Sequence, residues 1–129
     1  MVEGIISFPD WQKLDLRVAK ILKVEDIEGA DKLYKIEVDI GNEIGKSKSE
    51  ISTDSSSKPN RRTICAGIKK YYSKDELNGK KIIVFTNLAS RKMKGIESQG
   101  MLLAAVSEDE SSVVLLAPEK DAEVGWKVR

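Results

Sequence analysis

"LDLRVAKIL", residues 14–22, alternates and then loses step. Leu14, Leu16 and Val18 alternate with Asp15 and Arg17, the period-two pattern of a strand with one buried face. At Ala19 the phase slips, so that Ala19 and Ile21 carry the apolar side. A slip inside a long strand predicts a bulge or bend that turns the chain onto a second sheet face. Further along, "LYKIEVDI" (33–40) alternates cleanly, with Tyr34, Ile36, Val38 and Ile40 on one side and Lys35, Glu37 and Asp39 on the other. That is a half-buried strand. Gly29 to Asp31 read as the turn between the two.

The remaining elements follow from the same reasoning. Strand character returns at Thr63 to Ala66, then in "KKIIVFTNL" (80–88), "GMLLAAV" (100–106) and "SVVLLAP" (112–118). "SKDELNG" (73–79) is a short helix: Ser73 as N-cap, Glu76 as its capping-box partner, Gly79 as the stop. Before the first strand, Ser7 or Asp10 can cap another short helix, with Pro9 tolerated in its first turn. Residues 41–60 are rich in Ser, Lys and Gly, and 43–60 read as an inserted, mobile loop. There are no internal repeats, so residues 1–129 read as a single domain. Five or six short strands, one of them bent, with a helix between the third and fourth, predict an all-β fold. The connections lack the helices that parallel crossovers need, which favours a five-stranded oligonucleotide/oligosaccharide-binding (OB) barrel.

The net charge of +1 conceals a partition. Residues 1–57 hold 8 Lys/Arg against 12 Asp/Glu, residues 58–94 hold 11 against 2, and residues 95–129 hold 3 against 7. A middle third at +9 between two segments at −4 predicts an anionic partner on one face. No histidine and a single cysteine, Cys65, exclude an imidazole base, a Cys–His nucleophile and a thiolate/imidazole zinc site within one chain. No glycine-rich phosphate loop occurs. Catalysis, a metal and a cofactor are therefore not expected. Cys65, between Ile64 and Ala66, reads as a small buried residue. No run has the length of a membrane span and "MVEGIISFPDW" has no secretory pattern, so no membrane association is expected and the expected location is cytoplasmic.

The densest cationic stretch is "TNLASRKMKGIESQGMLLAA" (86–105). Asn87 ends an apolar strand, where Asn commonly closes a turn through its side chain. Arg91, Lys92 and Lys94 project from the connection that follows. Arginine can fork onto a phosphate or stack on a base, and lysine adds a compact charge. Ser98 and Gln99 can hydrogen-bond a nucleotide, and Met101 can offer an adaptable apolar contact. The same residues also suit a solvated turn, with Ser98 bonding the turn and Met101 filling the core.

Taken with "LDLRVAKIL", "DKLYKIEVDIG" and "ICAGIKKYYSKDELNGKKIIV", the stretch "NLASRKMKGIESQGMLLAA" resembles the tRNA-binding domain of the methionyl-tRNA synthetase C-terminal and endothelial monocyte-activating polypeptide group. The likeness runs from about residue 8 to the C-terminus. It implies an OB barrel that binds tRNA with little regard to sequence, without catalysis, as an accessory to an aminoacyl-tRNA synthetase, methionyl-tRNA synthetase foremost. It marks Asn87, Arg91, Lys92, Lys94, Ser98 and Met101 as RNA contacts, with Lys32, Lys35, Lys69 and Lys70 as flanking cations. It also implies a homodimer formed near both chain ends, where Trp11 and Trp126 are either interface or core residues. The CsaA-type export chaperones share this fold and these motifs, which leaves a peptide-binding alternative. Two departures stand out: the 43–60 insertion, and Ala89-Ser90 where the family often has Lys-Pro, which removes one cation and a stiff residue. With only seven aromatics in the chain, Tyr71 and Tyr72 are the evident candidates for stacking on bases.

Overall fold

The computed structural model of the chain describes residues 4–41 and 60–129. The 43–60 insertion lies outside the described residues except for its last position. Elements run in the order α1 (Phe8–Gln12), β1 (Leu16–Asp26), β2 (Tyr34–Asp39), β3 (Arg61–Ala66), α2 (Lys74–Leu77), β4 (Lys81–Phe85), β5 (Arg91–Met93), β6 (Ile96–Ser98), β7 (Met101–Leu102), β8 (Ala104–Val106) and β9 (Val113–Leu115).

The eleven-residue β1 serves two neighbours. Its first half, Leu16 to Lys20, pairs antiparallel with β4, and its second half, Lys20 to Asp26, pairs antiparallel with β2. Val18 and Ala19 are both buried, which is the phase slip visible in the sequence. The ladder itself shifts register slightly later, between Ile21 and Lys23. That bulge lets one strand belong to both sides of a curled sheet. The strand order is β3-β2-β1-β4-β7, and the sheet is antiparallel throughout. It curls into a nearly closed five-stranded barrel. The Gln99 N–H donates to the Thr63 carbonyl at 2.7 Å and the Gln99 Oε1 accepts from Thr63 N–H at 3.3 Å, tying the free edge of β3 to the chain entering β7.

The helix between strands three and four forms as expected. Ser73 Oγ accepts from Glu76 N–H at 3.2 Å and Glu76 Oε1 accepts from Ser73 N–H at 2.8 Å, a reciprocal capping box. Those bonds hold the Glu76 carboxyl below its ordinary pKa. Ser7, not Asp10, caps α1. Leu77 of α2 is fully buried and joins Ile21, Ile36, Ile40, Ile64 and Ile82 in the barrel interior.

Two departures from the sequence reading concern the C-terminal third. The connection after Asn87 is itself a β-hairpin, β5–β6. The strand expected over 100–106 divides into β7 and β8 at Leu103, which donates to the Ile83 carbonyl at 3.1 Å and accepts from Leu116 at 2.9 Å. One short segment thus leaves the barrel sheet and enters the β8–β9 ribbon. The C-terminal segment then returns along β1, with Val18 N–H donating to Trp126 and Val128 N–H donating to Leu16. Gly41 has φ 82°, and a Cβ there would lie 2.6 Å from the Gly125 Cα, so this crossing admits no side chain.

Candidate nucleic-acid interface

The β5–β6 hairpin pairs Arg91 with Ser98, Lys92 with Glu97 and Met93 with Ile96. Only Lys94 and Gly95 remain for the loop, with φ of 53° and 80°. Two successive positive φ values give the turn whose twist matches that of paired strands. Asn-Gly is the usual solution, whereas here a lysine occupies the first position and holds its charge at the hairpin tip in left-handed backbone.

What seats the hairpin is a small apolar cluster outside the barrel. Met93 and Ile96 pack against Ile27, Ala30 and Cys65, with Leu33 alongside. Ser98 Oγ accepts the Cys65 N–H at 3.0 Å. Alternation then puts Lys92 and Glu97 on the opposite, solvent side. Arg91 is exposed on the Met93 side, its Nη2 4.0 Å from Met93 Sδ. Burial pushes the Cys65 thiol pKa up, partly countered by the charge of Lys35 nearby. Cys65 is thus a small buried residue, as its sequence context implies, although it belongs to this satellite cluster and not to the barrel interior.

Through Ile27, Ala30 and Leu33 the same cluster joins the hairpin to the β1–β2 turn, which carries Lys32. The Lys32 carbonyl accepts from Lys69 N–H at 3.2 Å, which brings the turn containing Lys69 and Lys70 alongside. Among the described residues, Arg91, Lys92, Lys94, Lys32 and Lys70 are exposed and make no ion pair with an acid. The other two flanking cations are held by acids. Lys69 Nζ lies 3.1 Å from Asp26, which also binds Lys74 at 2.7 Å. The hydrogen bonds from Lys74 and then Lys69 hold the Asp26 carboxyl below its ordinary pKa. Lys35 lies 4.0 Å from Glu25.

Three of the sequence-designated polar residues make hydrogen bonds within the fold. Ser98 is 5% exposed, and its hydroxyl accepts from Cys65 and donates to the Gly100 carbonyl at 3.4 Å. These two bonds give the Ser98 hydroxyl an anchoring role in the fold. Asn87 closes its turn through both ends of its amide: Oδ1 accepts from Asp15 N–H at 2.8 Å and Nδ2 donates to the Lys13 carbonyl at 2.7 Å. Gln99 is committed to Thr63, as described above. Met101, by contrast, is 43% exposed and free of both apolar clusters. Tyr71 and Tyr72 are only half exposed, with hydroxyls donating to the Glu110 carbonyl and accepting from Leu115 N–H, respectively.

The outer face of β1–β2–β3 corresponds to the sheet surface on which OB barrels bind extended ligands. Its cross-strand neighbours alternate in sign: Lys23 faces Glu37, Glu25 faces Lys35, and Asp39 faces Arg61. Lys23 lies 3.7 Å from Glu25, and Arg61 3.7 Å from Glu37. No aromatic ring occupies an outward position on these strands. Alternation in the sequence shows that this face is charged, but which acid meets which base depends on register, so neither Glu25 nor Glu37 could be singled out beforehand. Met93 and Ile96 were likewise hidden, lying in a stretch that reads as a polar connection.

Three comparisons bear on this geometry. The family model described as a putative tRNA binding domain matches residues 16–127. Methionine–tRNA ligase of Thermococcus onnurineus is 44% identical over 124 residues, 96% of this chain and 14% of that protein, so the chain spans about one seventh of that relative's length. Among solved structures, a MetRS-related protein from Pyrococcus horikoshii superposes with a TM-score of 0.79 at 33% identity, covering 98% of this chain and 99% of that one. The CsaA chaperone of Picrophilus torridus superposes at 0.75 with 31% identity, covering 97% and 100%.

Proposed function

The chain belongs to the putative tRNA-binding domain family, and from that membership we propose that it is a non-catalytic unit that holds tRNA with little regard to sequence, serving an aminoacyl-tRNA synthetase, methionyl-tRNA synthetase foremost. The observation that carries this reading is the set of five described cations around one satellite cluster, Arg91, Lys92, Lys94, Lys32 and Lys70, none of them neutralised by a described acid. They contact phosphates; Met101 adds an apolar contact, and Lys35 and Lys69 contribute less because acids already hold them. The recognition needs no metal or cofactor and takes place in the cytoplasm.

The mechanism is counterion release. Neutralising about five phosphates of an RNA that is not wholly duplex gives an affinity that falls with salt, at a log–log slope on the order of −3. Sequence readout is slight, because stacking on exposed bases needs free aromatic rings and the outer sheet face has none. Folded RNA, presented by shape and backbone, suits this surface better than an extended single strand. Tethered to a synthetase, the unit raises the local concentration of tRNA without selecting it.

A second copy of the chain is the partner for the apolar surface near the two ends. Ile5 and Phe8 are 70% and 67% exposed, Trp126 is 54% exposed, and a groove of about 330 Å³ lies between α1 and the C-terminal segment, lined in part by Phe8, Trp11 and Val128. This exposure suits Trp126 to an interface and not to core filling. Light scattering on the purified chain reads the mass directly.

The likeness to CsaA, together with that groove, favours a second reading: peptide binding by an export chaperone of the same fold. Titrating labelled tRNA at low and moderate salt, with an unfolded polypeptide in parallel, separates the two. The tRNA reading expects salt-sensitive tRNA binding. Polypeptide binding without tRNA binding at low salt would give the chain to the chaperone reading.

A further inference from the structure

The cations of the β1–β2–β3 face are locked into a pattern with acids, and that pattern has a consequence for which RNA is admitted. Lys23 and Lys35 flank Glu25 at 3.7 and 4.0 Å, and Arg61 lies 3.7 Å from Glu37. The ladder places Glu25 beside Lys35 and Lys23 beside Glu37, so opposite signs face each other across β1 and β2. A flexible polyanion laid along such a face meets a carboxylate beside each of these cations. The cation between two carboxylates exerts little net attraction at the reach of a phosphate, since opposite charges a few ångströms apart largely cancel beyond that distance. The hairpin cations, which lack such partners, are mounted to one side of the face by the Met93–Ile96 contact with Cys65 and Ile27.

Resting on the tRNA reading, we propose that Glu25 and Glu37 are specificity-determining residues that exclude extended single-stranded nucleic acid from the outer sheet face. A folded RNA bridges the hairpin, the Lys32 turn and the Lys70 turn with its rigid backbone and needs no contact with that face. A single strand would have to follow the face to gain as many phosphate contacts, and there it meets the acids. Asp39 is not part of the device, because its Oδ1 accepts the Gly41 N–H at 2.9 Å and shapes the strand end.

The test compares binding of unfractionated tRNA and of an unstructured oligouridylate of about 16 nucleotides, the upper site size of one OB fold. The unchanged chain should bind tRNA at least tenfold more tightly than the oligouridylate. The double change Glu25→Gln and Glu37→Gln should raise oligouridylate affinity about fivefold, and each single change about twofold, with tRNA affinity moving less than twofold. Circular dichroism confirms that each variant folds, and the single changes serve if the double one does not. Glu119→Gln with Glu123→Gln, two exposed acids of the C-terminal segment, alters net charge equally and should leave oligouridylate binding unchanged. Equal affinity of the unchanged chain for both RNAs overturns the proposal. So does a Glu25/Glu37 variant with no gain, or a control variant with the same gain. If the unchanged chain binds no tRNA, the underlying reading falls and takes this inference with it; tRNA binding without an oligouridylate gain sinks the inference alone.

Discussion

The β5–β6 hairpin and the outer face of β1–β2–β3 lie side by side and are both rich in Lys and Arg, yet they differ in electrostatic state. On the sheet, strand sequence and register together set carboxylates beside three cations: Glu25 between Lys23 and Lys35, Glu37 beside Arg61. On the hairpin, Arg91, Lys92 and Lys94 make no ion pair with a described acid, although Glu97 stands opposite Lys92 in the ladder. A count of basic residues does not measure a field. Exposed pairs of the sheet kind contribute little to stability, roughly 0–1 kcal/mol each, so their effect is felt by an approaching anion more than by the fold. The two regions also differ in anchorage. The sheet face is the back of a core packed with isoleucines, whereas the hairpin rests through Met93 and Ile96 on four residues, Ile27, Ala30, Leu33 and Cys65, and on a few hydrogen bonds.

The comparison breaks most visibly if its cations are removed region by region. Changing Arg91, Lys92 and Lys94 together to Ala should lower tRNA affinity at least tenfold in a gel shift and leave circular dichroism unchanged. Changing Lys23 and Lys35 together to Ala should cost less than about twofold. Equal losses from the two variants would show that partner acids do not matter. Anchorage is tested next. Ser98→Ala removes the acceptor for the Cys65 N–H and should cost about 1 kcal/mol in chemical denaturation. Hydrogen exchange at the Cys65 amide should speed up while Ile36 and Ile82 stay protected; uniform loss of protection would mean the hairpin is not a separate unit. The smallest effect comes from the tip. Lys94→Asn relieves left-handed strain at a lysine and should raise stability on the order of 0.5 kcal/mol, while tRNA binding weakens by about twofold. Opposite signs for stability and binding are the outcome that counts, read from a thermal melt and the same gel shift.

Much of the barrel was legible because it rests on local signals. The slip at Ala19, the alternation from Tyr34 to Ile40 and the Ser73–Glu76 box each state their structure within a few residues. The hairpin was not, for a physical reason: its strands are three residues long and its inward residues, Met93 and Ile96, contact a cluster built from residues roughly 30 to 70 positions away. Within the stretch alone they read as isolated apolar residues among charges. The candidate site divides in the same way. Arg91, Lys92, Lys94, Lys32 and Lys70 are exposed as their composition implies. Ser98 carries the same signal as a surface serine, and only the packing of β6 on β3 turns its hydroxyl inward. Lys69 and Lys35 look as free as Lys70 until Asp26 and Glu25 are placed beside them.

Amino-acid order alone therefore determined a bent antiparallel barrel with a capped helix after its third strand, because hydrophobic period and capping chemistry act between neighbours in the chain. It also determined that the chain itself carries no histidine. Tertiary structure alone decided which of the flanking positive charges remain available to an anion, because neutralisation of Lys35, Arg61 and Lys69 depends on separations of 3–4 Å to acids that the fold, not chain order, brings beside them.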